Sequence, residues 1–564
     1  MLGSDTAAGL IGLWGCERTF GPEVQGRLTI VEKEGAWRAE IGGFTVPAEC
    51  ANGDLAFSLP GGRGEFQGHR ISEEALFGHW IQPSLTAGKM RYATPVEIDS
   101  VHPQIWRGQV APLEDRRSFY LIVQPGSDGA LKAFLRNPES NAGLSLPVEK
   151  VSVEGDSVRF TRRENEEEAL VGRWDRERGI LSLYVPRYGL TFDFTRRSPE
   201  EATGFFPRTP PVSSYRYRPP LPDDDGWPVG SLAEAGLGPV PLARLVEQIL
   251  TTETTSVETS YIHSLLIARQ GKLVFEEYFY GFHRDRAHDW RSAGKSLAST
   301  LVGIALDQDA PFDLTTPIST LFPQYPDLAA SDPCKQKITV EHLLTMTSGL
   351  EGDDNDAASP GNEMTMWAQT HQPDWYRYTL ALPMVREPGE RGVYFTAGIH
   401  LLGGIIETAT HTWLPDFLYM YFAKPLDIRR YHLSLTPQNA AYMGGGIFMR
   451  PRDFLKLGQL FLDRGRWKGR QVVSEEWVER ATRAHAGIKK SGDYGYAWWI
   501  WPYTVEGRTY RAFSALGNGG QSVIVFPELD MVVSSTAGNY GSDIDTLFRD
   551  WFVPEFILPS LKGP

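Results

Sequence analysis

Ser292-Ala293-Gly294-Lys295 is the segment of this 564-residue chain whose residue types and spacing most directly suggest covalent chemistry. Leu297, Leu301, Ile304 and Ala305 follow at helical spacing, so the serine stands at a helix start and the lysine shares its face. A hydroxyl there meets the positive end of the helix dipole. Desolvation beside a buried nucleophile pushes an ammonium toward its neutral form, and a neutral amine can take the serine proton. By itself the pair is a chance-level pattern, because an N-cap serine followed by a surface lysine reads the same way.

Three further segments lie downstream. Ile338-Thr339-Val340-Glu341-His342-Leu343-Leu344-Thr345-Met346-Thr347-Ser348-Gly349-Leu350 comes first, then Pro388-Gly389 ahead of Tyr394-Phe395-Thr396-Ala397-Gly398, then Gly517-Asn518-Gly519-Gly520-Gln521 leading into an apolar strand. In that order they resemble the HLL-x-x-x-SGL segment, the tyrosine box and the glycine-rich third box of the serine β-lactamase, DD-peptidase and esterase superfamily. These are penicillin-binding-protein-like serine hydrolases, and the pattern is most like the esterase and 6-aminohexanoate-dimer hydrolase branch. The resemblance runs from about Asp224 to Phe552 and includes Tyr494-Gly495-Tyr496-Ala497-Trp498-Trp499.

The resemblance implies that Ser292 is acylated, that Lys295 activates it and that Tyr394 is a second proton-transfer group. A phenol held between cations ionises more readily, which suits a proton shuttle. It also implies an oxyanion hole formed by the backbone N–H groups of Ser292 and of Gln521, which follows Gly520. Thr396 stands where many relatives have Asn or Ser. Asn518 stands where β-lactamases and DD-peptidases carry the Lys or His that grips a substrate carboxylate, so the expectation moves from β-lactams to esters and amides. A catalytically silent sensor or binding protein is the alternative those departures allow. Phe395, Trp498, Trp499, Trp367 and Trp375 suggest an apolar pocket, and His342 is given a structural place.

These groups need a scaffold. Beyond about Leu232 helices and strands mix, with apolar hairpins at Ser264–Ala268 and Leu273–Glu276 and again at Ser522–Phe526 and Met531–Ser535. Strands gathered from both ends with helices between them predict an α+β fold, a β-lactamase-like domain over 229–564 in which an antiparallel sheet is flanked by helices. Residues 201–228 hold Pro207, Pro210, Pro211, Pro219, Pro220, Pro222 and Pro228 beside Asp223-Asp224-Asp225, the composition of a stiff, solvated linker. Residues 1–200 read as short alternating strands, an all-β barrel or sandwich. A lipocalin-like Gly-x-Trp element recurs there at Gly12-Leu13-Trp14, Gly78-His79-Trp80 and Gly172-Arg173-Trp174, with Trp expected as a core plug. That module is expected to wall the cleft, or to serve oligomerisation or carbohydrate binding.

A formal net charge of −14 argues against a nucleic-acid partner and favours neutral or cationic substrates. Cys16, Cys50 and Cys334 form no disulfide or zinc pattern, and the N-terminal residues lack the features of a secretory signal, so a cytoplasmic location is expected. The histidines show no metal-binding spacing. No cofactor or metal is expected, and the partner is a small ester, amide or peptide substrate rather than a membrane; self-association is compatible with the sequence.

Overall fold

The computed structural model describes residues 8–85, 90–140, 145–162, 168–186, 188–368, 374–488 and 492–561. Eight strands from Gly26–Lys33 to Ile105–Val110 form a meander in which each pairs antiparallel with the next. The last also pairs back with Gly26–Lys33, which closes the ring and leaves no edge exposed. Leu28, Ile30, Phe66, Trp80 and Ile98 fill it. A second, nine-stranded sheet joins Gly12–Gly21 to the strands between Asp115 and Arg196 around Trp14, Phe119, Phe160, Trp174 and Phe194. The described residues from Gly12 to Arg196 are therefore all-β and barrel-like, with two cores rather than one. Trp14, Trp80 and Trp174 are all buried in them.

The strand Arg91–His102 reaches out of the closed ring. Its start pairs with Tyr431–Leu435, which pairs with Ile447–Met449, which pairs with His288–Asp289. One 11-stranded sheet thus runs from the N-terminal ring to the residues just before Ser292.

A third large sheet has eight strands, with Ile262–Arg269 and Lys272–Tyr278 from one end of the domain beside Met531–Ala537, Gln521–Phe526 and Arg508–Gly517 from the other. Alternation of side chains along a strand gives it two apolar faces. Val523, Val525 and Val532 pack with the helices Gly294–Asp307, Thr396–Thr410 and Pro451–Leu462. Ile524, Phe526 and Val533 pack with Pro239–Leu250 and the C-terminal helical segment Phe548–Ile557. An α+β domain, an antiparallel sheet with helices on both faces, follows the all-β region.

The proline-rich stretch is pinned to this domain instead of being free in solvent. Arg452, 1% exposed, donates to the Leu221 carbonyl at 2.7 Å and to Asp225 at 3.2 Å. It also grips Glu276 at 2.7 and 2.6 Å, and Trp227 donates to the Arg452 carbonyl at 2.9 Å. Of the three acids that suggested solvation, Asp225 meets this buried cation, which a sequence does not place, while Asp224 stays 87% exposed beside Arg429. Among the described residues no helix is long and apolar enough to cross a membrane.

Candidate active site

Ser292 sits on the single 3-10 turn Arg291–Ala293 that runs into the helix Gly294–Asp307. Lys295 lies in the first turn of that helix, 1% exposed. Its ammonium donates to Ser292 Oγ at 2.7 Å and to the Gly444 carbonyl at 2.5 Å. The Ser292 side chain makes no helix cap, so its oxygen is left for the lysine.

The turn is set by its neighbours. Trp290, fully buried, stacks on Phe454 with centroids 4.0 Å apart and donates to the Met449 carbonyl at 3.2 Å. Asp289 accepts from the Arg291 N–H at 2.9 Å and pairs with Arg291 Nε at 2.8 Å. Two glycines press on the turn from either side. A Cβ at Gly445 would stand 2.5 Å from the Arg291 carbonyl oxygen, and one at Gly517 would stand 2.3 Å from that of Trp290. Only glycine allows both approaches.

Tyr394, half-buried, holds its ring 5.1 Å from Lys295 Nζ and stacks on Trp499 with centroids 5.7 Å apart. Asp354 fixes its loop by donating its N–H to the Tyr394 carbonyl at 2.9 Å and accepting from the N–H groups of Thr396 at 2.7 Å and Glu363 at 2.9 Å. Burial pushes the Asp354 carboxyl up, opposed by the nearby Lys295 ammonium. Glu363 in turn accepts from the Tyr442 hydroxyl at 2.5 Å. Burial, reinforced by Glu363, pushes that phenol well above its ordinary value.

The sequence of residues 257–541, just over half of the chain, matches the β-lactamase family. The chain belongs to the β-lactamase family. Membership places it among the serine hydrolases of that fold, and Ser292, Lys295, Tyr394 and the glycine hairpin all lie inside the matched span. A 6-aminohexanoate-dimer hydrolase of Paenarthrobacter ureafaciens is 25% identical over 303 residues, covering 49% of this chain and 72% of that protein. Among solved structures, a penicillin-binding protein homologue from Caulobacter crescentus is 16% identical with a TM-score of 0.42, covering 53% of this chain and 92% of that one. Simvastatin synthase from Aspergillus terreus is 17% identical with a TM-score of 0.40, covering 53% and 94%.

The other positions singled out in this β-lactamase-family chain are placed variously. Asn518 is exposed at the tip of the hairpin between Arg508–Gly517 and Gln521–Phe526, and neither its N–H nor that of Ser292 has an acceptor among the described residues. Gln521 opens the next strand, paired with Gly517 and 1% exposed. Its amide donates to the Ala537 carbonyl at 2.7 Å and accepts from the Ala537 N–H at 3.2 Å, which ties the hairpin to its neighbour. Gly520 packs against Ala537. Thr396 is fully buried at the start of its helix, with its methyl against Gly444. Phe395, Trp498 and Trp375 belong to the core, whereas Trp499 and Trp367 are half-buried. His342 caps the helix Val340–Leu344 together with Thr339.

Sequence reasoning did not single out Gly444, Gly445, Asp354, Glu363 or Tyr442. The run Gly444-Gly445-Gly446 was the available signal for the first two. Asp354 lies in Asp353-Asp354-Asn355-Asp356, which reads as a solvated loop.

Proposed function

We propose that this chain cleaves an ester or amide bond through an acyl-enzyme on Ser292. The observation that carries the reading is the buried Lys295 ammonium 2.7 Å from Ser292 Oγ, with Tyr394 at its side. Once Lys295 has lost a proton it can take the one on Ser292 as Oγ attacks the substrate carbonyl carbon. The oxygen that gains charge is received by the two N–H groups without acceptors, those of Ser292 and Asn518. Asn518 is proposed beside the Gln521 that the resemblance implies, because the Asn518 N–H has no acceptor among the described residues whereas Gln521 is paired with Gly517. Each such donor contributes roughly 3 kcal/mol to transition-state stabilisation. Tyr394 passes the proton to the leaving oxygen or nitrogen, and water then cleaves the acyl-enzyme by the reverse sequence.

The Paenarthrobacter relative is named a 6-aminohexanoate-dimer hydrolase, and a dimer of an amino acid is joined by an amide, so amide cleavage stands beside ester cleavage in this reading. The all-β residues 1–200, the pinned stretch 201–228 and the catalytic residues 229–564 are proposed as the units of this enzyme. Labelling with a fluorophosphonate should modify Ser292, and short-chain aryl esters should be turned over many times. Undiminished turnover in Ser292→Ala would overturn the assignment, and a single stoichiometric reaction would favour a silent sensor.

A further inference from the structure

We infer that Arg291 is a specificity residue that receives a carboxylate of the substrate. The inference rests on the reading of Ser292 as nucleophile and names the substrate class of that same site. Arg291 immediately precedes Ser292 and has a left-handed backbone, φ +49°, a conformation that non-glycine residues adopt only when their surroundings hold them there. Asp289 holds it there through the Arg291 N–H at 2.9 Å and Nε at 2.8 Å.

From this turn the guanidinium extends over the ring of Tyr540, with its central carbon 4.9 Å from the centroid. The Tyr540 ring lies against Gly519, 2.5 Å from where a Cβ would stand. Arg291 therefore reaches from the nucleophile to the hairpin that carries Asn518. It supplies a cation beside the hairpin whose own tip residue is neutral.

The charged groups around it are otherwise committed. Lys295 is buried between Ser292 and Gly444. Asp354 is occupied by two backbone N–H groups, and Glu363, whose charge also acts on Arg291, by the Tyr442 hydroxyl. Asp289 is the one carboxylate among the described residues in ion-pair contact with Arg291, and it takes the Nε edge. The Arg291 side chain is 42% exposed and is hydrogen-bonded to the Tyr540 hydroxyl. A guanidinium carries five N–H donors, so one that is ion-paired with Asp289 and bonded to a phenol still has hydrogens for a second carboxylate. At contact distance this cation outweighs the protein's overall negative charge, which salt screens beyond roughly 8–10 Å.

The test uses two matched pairs of esters and the intact protein. p-Nitrophenyl hexanoate is compared with the mono-p-nitrophenyl ester of adipic acid, which puts a carboxylate on the acyl part. Phenyl hexanoate is compared with 4-carboxyphenyl hexanoate, which puts it on the leaving group. In at least one pair the carboxylated ester should have the higher kcat/KM, by about tenfold. Arg291→Met should collapse that ratio and Arg291→Lys should keep part of it. No preference in either pair for the wild-type protein, or a ratio that survives Arg291→Met, would overturn the inference. Hydrolysis of the neutral esters by Ser292→Ala would instead place the fault in the nucleophile assignment.

Discussion

Lys295 and Gly444 are joined by a 2.5 Å hydrogen bond in which a backbone carbonyl takes one ammonium hydrogen and leaves another aimed at Ser292 Oγ, 2.7 Å away. A carbonyl neither titrates nor rotates away, so the amine is held by the main chain. Its position therefore depends on how closely Gly444-Gly445-Gly446 can approach the nucleophile turn.

Gly445→Ala tests that dependence. The added methyl would stand 2.5 Å from the Arg291 carbonyl oxygen and 3.0 Å from the Ser292 nitrogen, so turn and glycine run must separate. A shift near 1 Å at a reacting group costs about 100-fold in rate. We expect kcat/KM on an aryl ester and the rate of fluorophosphonate labelling to fall together by about that factor, in protein whose far-ultraviolet circular dichroism is native. Labelling at the wild-type rate would show that the close approach does not matter.

Tyr394→Phe removes the hydroxyl and keeps the ring that stacks on Trp499 and flanks Lys295. A proton-transfer role predicts a kcat lower by about 100- to 10,000-fold. The melting temperature should stay close to wild type, because the packing surface is retained. Steady-state kinetics beside a thermal melt checks both, and a kcat within twofold of wild type would remove Tyr394 from the mechanism.

That Ser292, Lys295 and Tyr394 come together was legible in the sequence because each lies within a short motif. The hairpins 262–278 and 521–537 were legible through local alternation of apolar residues. What escaped depends on distant parts of the chain. Closure of the N-terminal ring rests on Gly26–Lys33 meeting Ile105–Val110 across a whole meander, so one β module was expected where two cores exist. Asn518 and Gln521 both flank the hairpin turn in the sequence, and only the folded ladder shows that Gln521 is the one paired with Gly517. Asp354, Glu363 and Tyr442 meet beside Lys295 only after separate loops have packed.

Arg452→Met should be among the most destabilising single changes in the chain. It leaves Glu276 and Asp225, 4% and 0% exposed at their side chains, without their bidentate cation, and frees the stretch held through Leu221. Removing one partner from such a buried set costs about 3–5 kcal/mol. Urea unfolding would read this as a lower midpoint. Replacing Glu276 by Gln and Asp225 by Asn in the same variant should recover part of the loss, and a wild-type midpoint for Arg452→Met alone would contradict the network's role.

The contact between the N-terminal ring and the helix Leu414–Leu418 should depend on pH through His69. Its ring meets Asp416 at 2.7 Å and Asp54 at 2.6 Å, while the buried His79 meets the other oxygen of Asp416 at 2.9 Å. The hydrogen bond to Asp416, reinforced by Asp54 against desolvation, raises His69 to about 9 from its ordinary 6.5. A raised folded-state value means that the stabilisation is complete below pH 6.5 and is lost as the pH climbs through 9. Burial alone would raise Asp416, but its histidine partners hold it below its ordinary 3.8, so its share is lost only as the pH falls below that value. His69 is 49% exposed at its side chain, and solvent screening limits its contribution to about 1 kcal/mol. Unfolding free energies of wild type and His69→Gln should differ by that amount near pH 6 and converge by about pH 10. A difference that stays constant across this range would show that His69 acts through packing and not through its charge.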